Sequence, residues 1–197
     1  MIKTVIFDLD GMIYQEKDLF SNRLAKKQNL PKEKIMPFFQ DEFKNCLTGK
    51  KDLKKAIQPY LTEWKWKGSV DSLLDLWFGS GKMNKEMADL IHKLRSRGLF
   101  CVLCTNNERY RMEYLKSKYN LTDLFDEILA SYEIGTCKPQ QKMFDRIKMI
   151  SSPVRSILYF DDREENIERA KDSGLDAVHF ESIEQFKEQL EKRGLSV

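Results

Sequence analysis

Ile2-Lys3-Thr4-Val5-Ile6-Phe7-Asp8-Leu9-Asp10-Gly11 opens the chain, and this stretch decides the fold. From Thr4 it is β-branched and aromatic, apolar at successive positions rather than alternate ones. That pattern is expected of a strand buried on both faces, as in a parallel sheet. Two carboxylates two residues apart close the run, and glycine follows where a sharp turn is needed.

Beyond residue 81 the chain keeps a strand–helix rhythm. Asn84 is placed to cap a helix that ends at Arg97 and is stopped by Gly98. Strands are predicted over 99–104, 125–130, 156–160 and 176–180. Helices are predicted over 108–119, 140–150, 163–173 and 183–193. Such alternation calls for right-handed crossovers and a parallel sheet covered on both faces. Residues 14–81 break the rhythm with helical patterns over 18–28, from Pro31 to about 45, over 52–61 and over 70–78, the last capped by Ser69. The expected organisation is therefore an α/β domain, Rossmann-like, of residues 1–13 and 82–197, plus a small α-helical cap of residues 14–81. Leaving directly after the first strand, the helical part must stand at the carboxyl edge of the sheet, where open α/β sheets bind ligands.

Composition narrows the class. The chain has 197 residues, 41% of them hydrophobic and 33% charged, as in ordinary globular proteins. No apolar run is long enough for a membrane span, so no membrane partner is expected. Four scattered cysteines do not form a disulfide framework, and a cytoplasmic location is expected. Net charge is only +3, and no DNA- or RNA-binding motif is present, so no nucleic-acid partner is expected. Residues 14–80 hold 13 Lys/Arg against 9 Asp/Glu, an excess suited to an anionic ligand or to a solvated helical surface.

Polar residues suited to phosphoryl transfer stand at the strand ends: Asp8 and Asp10, Thr105-Asn106-Asn107, and Asp161-Asp162, with Lys138-Pro139 shortly after the third strand of the sheet domain. A parallel sheet brings these ends to one edge. Four carboxylates there repel without a cation, and Mg²⁺ is the hard ion such oxygens hold. Asp8 is the candidate nucleophile and Asp10 the candidate general acid/base. The Thr105 hydroxyl and the Asn106 backbone N–H are candidates for holding phosphoryl oxygens, and Lys138 for neutralising charge. Asp-Gly is also a common turn pair, and Thr105-Asn106-Asn107 also reads as a helix cap.

These segments resemble, in order, the four motifs of the haloacid dehalogenase (HAD) superfamily: Ile6 to Ile13; Leu103-Cys104-Thr105-Asn106; Lys138-Pro139 with Phe144; and Phe160-Asp161-Asp162 with Asn166 and Ala170. The resemblance implies a phosphoaspartate intermediate and Mg²⁺ held by Asp8, the Asp10 carbonyl, Asp161 and Asp162. Asp162 is the expected direct ligand, Asp161 binds directly or through water, and Asn166 steadies the loop. Dehalogenases of the superfamily lack the second aspartate of the first motif, whereas Asp10 is present here. Tyr132-Glu133-Ile134-Gly135 resembles the branch that holds sugar-phosphate phosphatases and the phosphatase-like domains of epoxide hydrolases. The expected activity is Mg²⁺-dependent hydrolysis of a small phosphorylated metabolite, a sugar phosphate or nucleotide, by a monomer or homodimer. A phosphomutase and a non-catalytic phospho-ligand-binding protein are the alternatives. Within the cap, Trp64, Trp66 and Trp77 are expected core residues, and the turn Thr48-Gly49-Lys50-Lys51 is a candidate for reaching the substrate. Cys101 and Cys104, three apart on a strand, point to opposite faces and are expected in the core.

Overall fold

The computed structural model describes residues 1–151 and 153–196; Ser152 and Val197, both within the expected α/β stretch, lie outside the described residues. Among the described residues seven strands are present: β1 (Thr4–Phe7), β2 (Tyr14–Gln15), β3 (Lys82–Met83), β4 (Phe100–Thr105), β5 (Glu127–Ala130), β6 (Ile157–Asp161) and β7 (Asp176–His179). Five of them form one parallel sheet in the order β5-β4-β1-β6-β7. The chain builds outward from β1 through β4 to β5, then returns to the other side of β1 for β6 and β7. This reversal beside β1 makes the carboxyl ends of β1 and β6 the natural crevice of the sheet.

Successive residues of each central strand enter different cores. Val5 and Phe7 of β1, Cys101 and Leu103 of β4, and Leu158 and Phe160 of β6 pack with the helices Lys85–Ser96, Arg109–Tyr119 and Ile183–Glu191. Ile6, Val102, Cys104, Ile157 and Tyr159 pack on the opposite face with Gln141–Lys148 and Glu164–Asp172. Helices thus cover both faces, as the continuous apolar runs require. Cys101 and Cys104 lie in different cores, and all four cysteines are free.

Between β2 and β3 the chain forms a helical insert with its own core, in which Trp64 is fully buried, Trp77 nearly so, and Trp66 partly buried beside them. Three details depart from the sequence pattern. The helix expected from Pro31 to about 45 is divided into a 3-10 turn, Lys32–Lys34, and two short helices, Met36–Gln40 and Glu42–Leu47. Pro37 is responsible: it has no N–H for the preceding turn and occupies the first turn of a new helix. Pro59 likewise separates Leu53–Ile57 from Tyr60–Glu63. Third, β2 and β3 pair antiparallel at the base of the insert, a ladder too short to show as a periodic pattern. The Tyr14 hydroxyl ties this base together, donating to the Phe78 carbonyl at 2.8 Å and accepting from the Gly81 N–H at 3.0 Å. A Cβ at Gly81 would stand 2.3 Å from the Tyr14 ring, so the close approach requires glycine. Among the described residues no helix is long and apolar enough to cross a membrane.

Candidate active site

Register puts the functional strand ends level. Phe7 of β1 pairs with Leu103 and Phe160, so Asp8 emerges beside Cys104 and Asp161. The Asp8 N–H is anchored on the Phe160 carbonyl at 3.0 Å. Lys138, on a loop after β5, reaches between the two carboxylates, 2.8 Å from Asp8 Oδ1 and 2.6 Å from Asp161 Oδ2. Its backbone is fixed by Asn106, whose Oδ1 accepts from the Lys138 N–H and whose Nδ2 donates to the Lys138 carbonyl, each at 2.8 Å. The Asn106 side chain is therefore engaged in holding the lysine, while its own backbone N–H meets no protein acceptor among the described residues.

Asp161 is saturated. Oδ2 accepts from Lys138 and from the buried Tyr159 hydroxyl at 2.5 Å; Oδ1 accepts from the Arg163 N–H at 3.0 Å and from Asn166 Nδ2 at 2.8 Å. Burial opposes ionisation here, but Lys138, Tyr159 and Asn166 outweigh it and hold the carboxyl below its ordinary value. Asp8 falls on the other side of that balance. Burial drives its carboxyl up to about 7 despite Lys138, with the nearby charges of Asp161 and Asp10 adding to the rise. Asp162 is also raised, first by burial and then by the charge of Asp161.

Oxygens of Asp8, Asp161 and Asp162 lie within 4.8 Å of one another, which suits a single cation. Three acceptors around this cluster have no protein donor among the described residues: Asp8 Oδ2, the Asp162 carboxylate and the Asp10 carbonyl. Hard oxygen donors of this kind fit Mg²⁺, with the saturated Asp161 better suited to act through water. Gly11 makes the cluster possible: its φ is +81°, and a Cβ there would fall 1.9 Å from Asp162 Oδ2. His179 sets its Nε2 2.9 Å from the Asp162 carbonyl and so braces the same loop.

Asp10 carries a partner absent from the sequence-derived site, Arg111. Its guanidinium takes both carboxylate oxygens, Nη2 to Oδ1 at 2.6 Å and Nη1 to Oδ2 at 2.8 Å, and also reaches Glu16 Oε1 at 3.3 Å. Arg111 Nη1 donates to Asn107 Oδ1 as well, and Asn107 Nδ2 donates to Asp10 Oδ2 at 3.0 Å and to Thr105 Oγ1 at 2.7 Å. Burial raises the Asp10 carboxyl, but the charge and hydrogen bonds of Arg111, with Asn107, prevail and hold it below the ordinary value. Thr105 is fully buried behind Asn107. The turn Thr48-Gly49-Lys50-Lys51 does meet the α/β part, but at Ser131 and Tyr132: Ser131 Oγ donates to the Leu47 carbonyl at 2.6 Å, and Gly49 lies against the Tyr132 carbonyl. Neither Lys50 nor Lys51 lines the cleft above Asp8, and Lys51 pairs with Glu42.

A parallel five-stranded sheet with this acidic and basic constellation at its carboxyl edge defines a class of Rossmann-like hydrolases. Residues 5–180 match the family model described as haloacid dehalogenase-like hydrolase, and the chain belongs to that family. The sesquiterpene phosphatase astK of Aspergillus oryzae is 26% identical over 102 residues, 51% of this chain and 52% of that protein. The drimenol cyclase drtB of Aspergillus calidoustus is 31% identical over 87 residues, 44% of this chain and 16% of that one. The chain thus matches only about half of the first relative's length and a smaller part of the second's. In fold it is similar to the HAD family enzyme bt-2542 of Bacteroides thetaiotaomicron, with a TM-score of 0.83 at 19% identity, covering 96% of this chain and 98% of that one. That enzyme has also been solved with magnesium and with magnesium and inorganic phosphate.

Proposed function

We propose that the protein is a Mg²⁺-dependent phosphomonoesterase that works through an aspartyl-phosphate on Asp8. The observation that carries this is the state of the Asp8 carboxylate. Oδ1 is pinned by Lys138 at 2.8 Å and by the Leu9 N–H at 2.7 Å, and Oδ2 is left with no protein donor. A carboxylate held by one oxygen presents the other as a nucleophile. Support also comes from the phosphatase among the relatives and from the fold neighbour solved with magnesium and phosphate. Asp10, at the second position of the first motif, favours phosphate chemistry over carbon–halogen cleavage. The four free cysteines fit the cytoplasm as its compartment.

In the first step Asp8 Oδ2 bonds to phosphorus, the ester P–O bond breaks, and Asp10 gives its proton to the departing alcohol oxygen. In the second, Asp10 takes a proton from water, whose oxygen attacks phosphorus, and the acyl-phosphate P–O bond breaks to release phosphate and Asp8. Because Arg111 holds Asp10 ionised, the donor state forms only when that pairing loosens, and an arriving phosphate dianion competes for the same guanidinium. Lys138 balances charge on Asp8 and the phosphoryl group, and the Asn106 N–H, at the end of β4, is placed to donate to a phosphoryl oxygen. Asp162, the Asp10 carbonyl and the Asp8 oxygen that does not attack phosphorus would hold Mg²⁺, which when bound would supply Lewis-acid stabilisation of the phosphoryl oxygens. Lys17, Lys82 and Arg163 at the rim of the cleft favour arrival of an anion.

The test is phosphate release from an aryl phosphate by wild type and Asp8→Asn, with and without Mg²⁺. Metal-dependent turnover that falls to background in the variant is expected. Equal turnover by both would overturn the assignment of Asp8. Steady release of phosphate rather than accumulation of a bisphosphate distinguishes hydrolysis from a mutase reaction.

A further inference from the structure

Above Asp8 the cleft between sheet and insert has a volume of about 950 Å³, within the range of small-molecule sites. Its floor is charged: Asp8, Asp10, Lys138, Asp162 and Arg111 all line it. The roof differs. Four helices of the insert, Phe20–Gln28, Met36–Gln40, Glu42–Leu47 and Val70–Phe78, turn Phe20, Met36, Phe39, Phe43 and Trp77 toward the cleft, with Leu19 just ahead of the first helix. Of the side chains that these helices contribute to the lining, Ser21 alone is aliphatic and polar.

The wall is already packed as one body. Phe20 stacks on Trp77 with ring centroids 4.6 Å apart and planes 5° from parallel. Phe39 and Phe43 meet the same indole at 5.3 and 5.1 Å. Rings fixed by one another present a preformed apolar surface, which a ligand meets without first ordering it. Leu19 gives a second, independent sign. It is 64% exposed, one of four exposed large hydrophobic residues among the described residues, and it stands in the lining. It begins its helix without a capping side chain, so local helix chemistry gives no reason for leucine at that position.

We propose that the group esterified to the phosphate is apolar: a hydrocarbon chain or ring system lying along Leu19, Phe20, Met36, Phe39, Phe43 and Trp77 while the phosphate sits over Asp8. This rests on the phosphomonoesterase reading and narrows its substrate, away from the sugar phosphates and nucleotides that the motif resemblance suggests. A sugar would bring hydroxyls against the rings, and each one stripped of water without a partner is a penalty. A hydrocarbon instead removes its own surface and that of Leu19 from water, a gain worth about fourfold per methylene.

The test uses two series on the intact chain with Mg²⁺: n-alkyl monophosphates from ethyl to octyl for turnover, and the matching alkylphosphonates for binding, followed by tryptophan fluorescence. A rise in kcat/KM and a fall in Kd of about two- to fourfold per methylene are expected, with glucose 6-phosphate poorer than hexyl phosphate. In Leu19→Asn, an exposed position whose change leaves the fold intact, the dependence on length should flatten. Turnover without length dependence, or with the sugar phosphate preferred, overturns the apolar substrate and leaves the phosphatase standing. Length-dependent phosphonate binding with no turnover of any monoester, including the aryl phosphate, supports the apolar site and overturns the phosphatase. Failure of both overturns both.

Discussion

Replacing Arg111 by Met keeps most of the side-chain volume and removes the clamp on Asp10. Two charge-assisted hydrogen bonds of 2.6 and 2.8 Å are lost, together with the 3.3 Å contact to Glu16. Such bonds contribute about 1.5–3 kcal/mol each where they are dry. Arg111 is 8% exposed, but the Asp10 side chain is 43% exposed, so water re-solvates much of what is uncovered. The expected loss of stability is therefore about 2 kcal/mol rather than the ~3–5 kcal/mol of a sealed pair. The kinetic effect should exceed the thermodynamic one, because Asp10 loses the partner that holds it toward the cleft until the arriving phosphate loosens the pair. General acid/base catalysis contributes about 10²–10⁴-fold, and a free-swinging Asp10 should forfeit about 10²-fold of it. The assay compares kcat/KM for an alkyl phosphate, whose leaving oxygen needs a proton, with an aryl phosphate, whose leaving oxygen departs without one. Arg111→Met should lose about 10²-fold on the first and about tenfold or less on the second. Arg111→Lys, a point charge unable to span both oxygens, should fall between wild type and Met. Equal losses on both esters would refute the reasoning, since they would mean that Arg111 serves only to bind the phosphate and does not act through Asp10.

Gly11→Ala forces a Cβ to 1.9 Å from Asp162 Oδ2 at a φ of +81°, so the carboxylate must move. The Mg²⁺ concentration for half-maximal activity should rise about 10–100-fold, and an unchanged Mg²⁺ dependence would remove Asp162 from the ligand set. Glu108 is buried at the start of the helix Arg109–Tyr119, and burial pushes its carboxyl from 4.5 up to about 7 despite hydrogen bonds from the Arg111 and Tyr110 N–H groups. The folded state then binds more protons than the unfolded one between those values. This group's contribution to stability is therefore fully present below 4.5 and lost as pH rises toward 7, by up to about 3 kcal/mol. Denaturant melts of wild type and Glu108→Gln should show the variant gaining on wild type from pH 5 to 7.5; a difference constant with pH would refute this.

The sheet was legible because its strands are buried on both faces: apolar runs such as Val5-Ile6-Phe7 and Ile157-Leu158-Tyr159-Phe160 cannot be mistaken for amphipathic elements, and the acidic residues follow each run directly. Short-range rules carried the caps as well, Asn84 and Ser69 accepting the expected backbone bonds. The insert was legible as helical and apolar but not in its segments, although Pro37 and Pro59 stood in the predicted helices as the signals that divide them. Arg111 was missed because nothing local separates it from Arg109 two residues away, which is 52% exposed and pairs with Asp52 and Glu113. Burial of an arginine is set by what lies across the cleft, here Asp10, one hundred and one residues distant in sequence. Asn107, which also holds Asp10, precedes the cap of the helix Arg109–Tyr119, so helical spacing offered no sign of Arg111.

The first motif places two aspartates two residues apart in opposite electrostatic settings, and each setting has its own cation. Lys138 serves Asp8 and Asp161 below the cleft, where burial still drives Asp8 up to about 7. Arg111 serves Asp10 and Glu16 and holds Asp10 ionised. The second cation is also tied to the insert. Glu16 lies 3.9 Å from the Arg23 guanidinium, which donates to the carbonyls of Leu76 and Trp77 at 2.9 and 3.1 Å, at the end of the helix that bears the aromatic wall. A run of charged contacts therefore joins the Trp77 backbone to the proposed proton donor without passing through the sheet. Had the second aspartate been partnered from the sheet, as Asp8 is by Lys138, its ionisation would be independent of the insert. Its partner instead comes from the helix after β4 and touches the linker, which ties the proposed proton donor to the insert through Glu16 and Arg23.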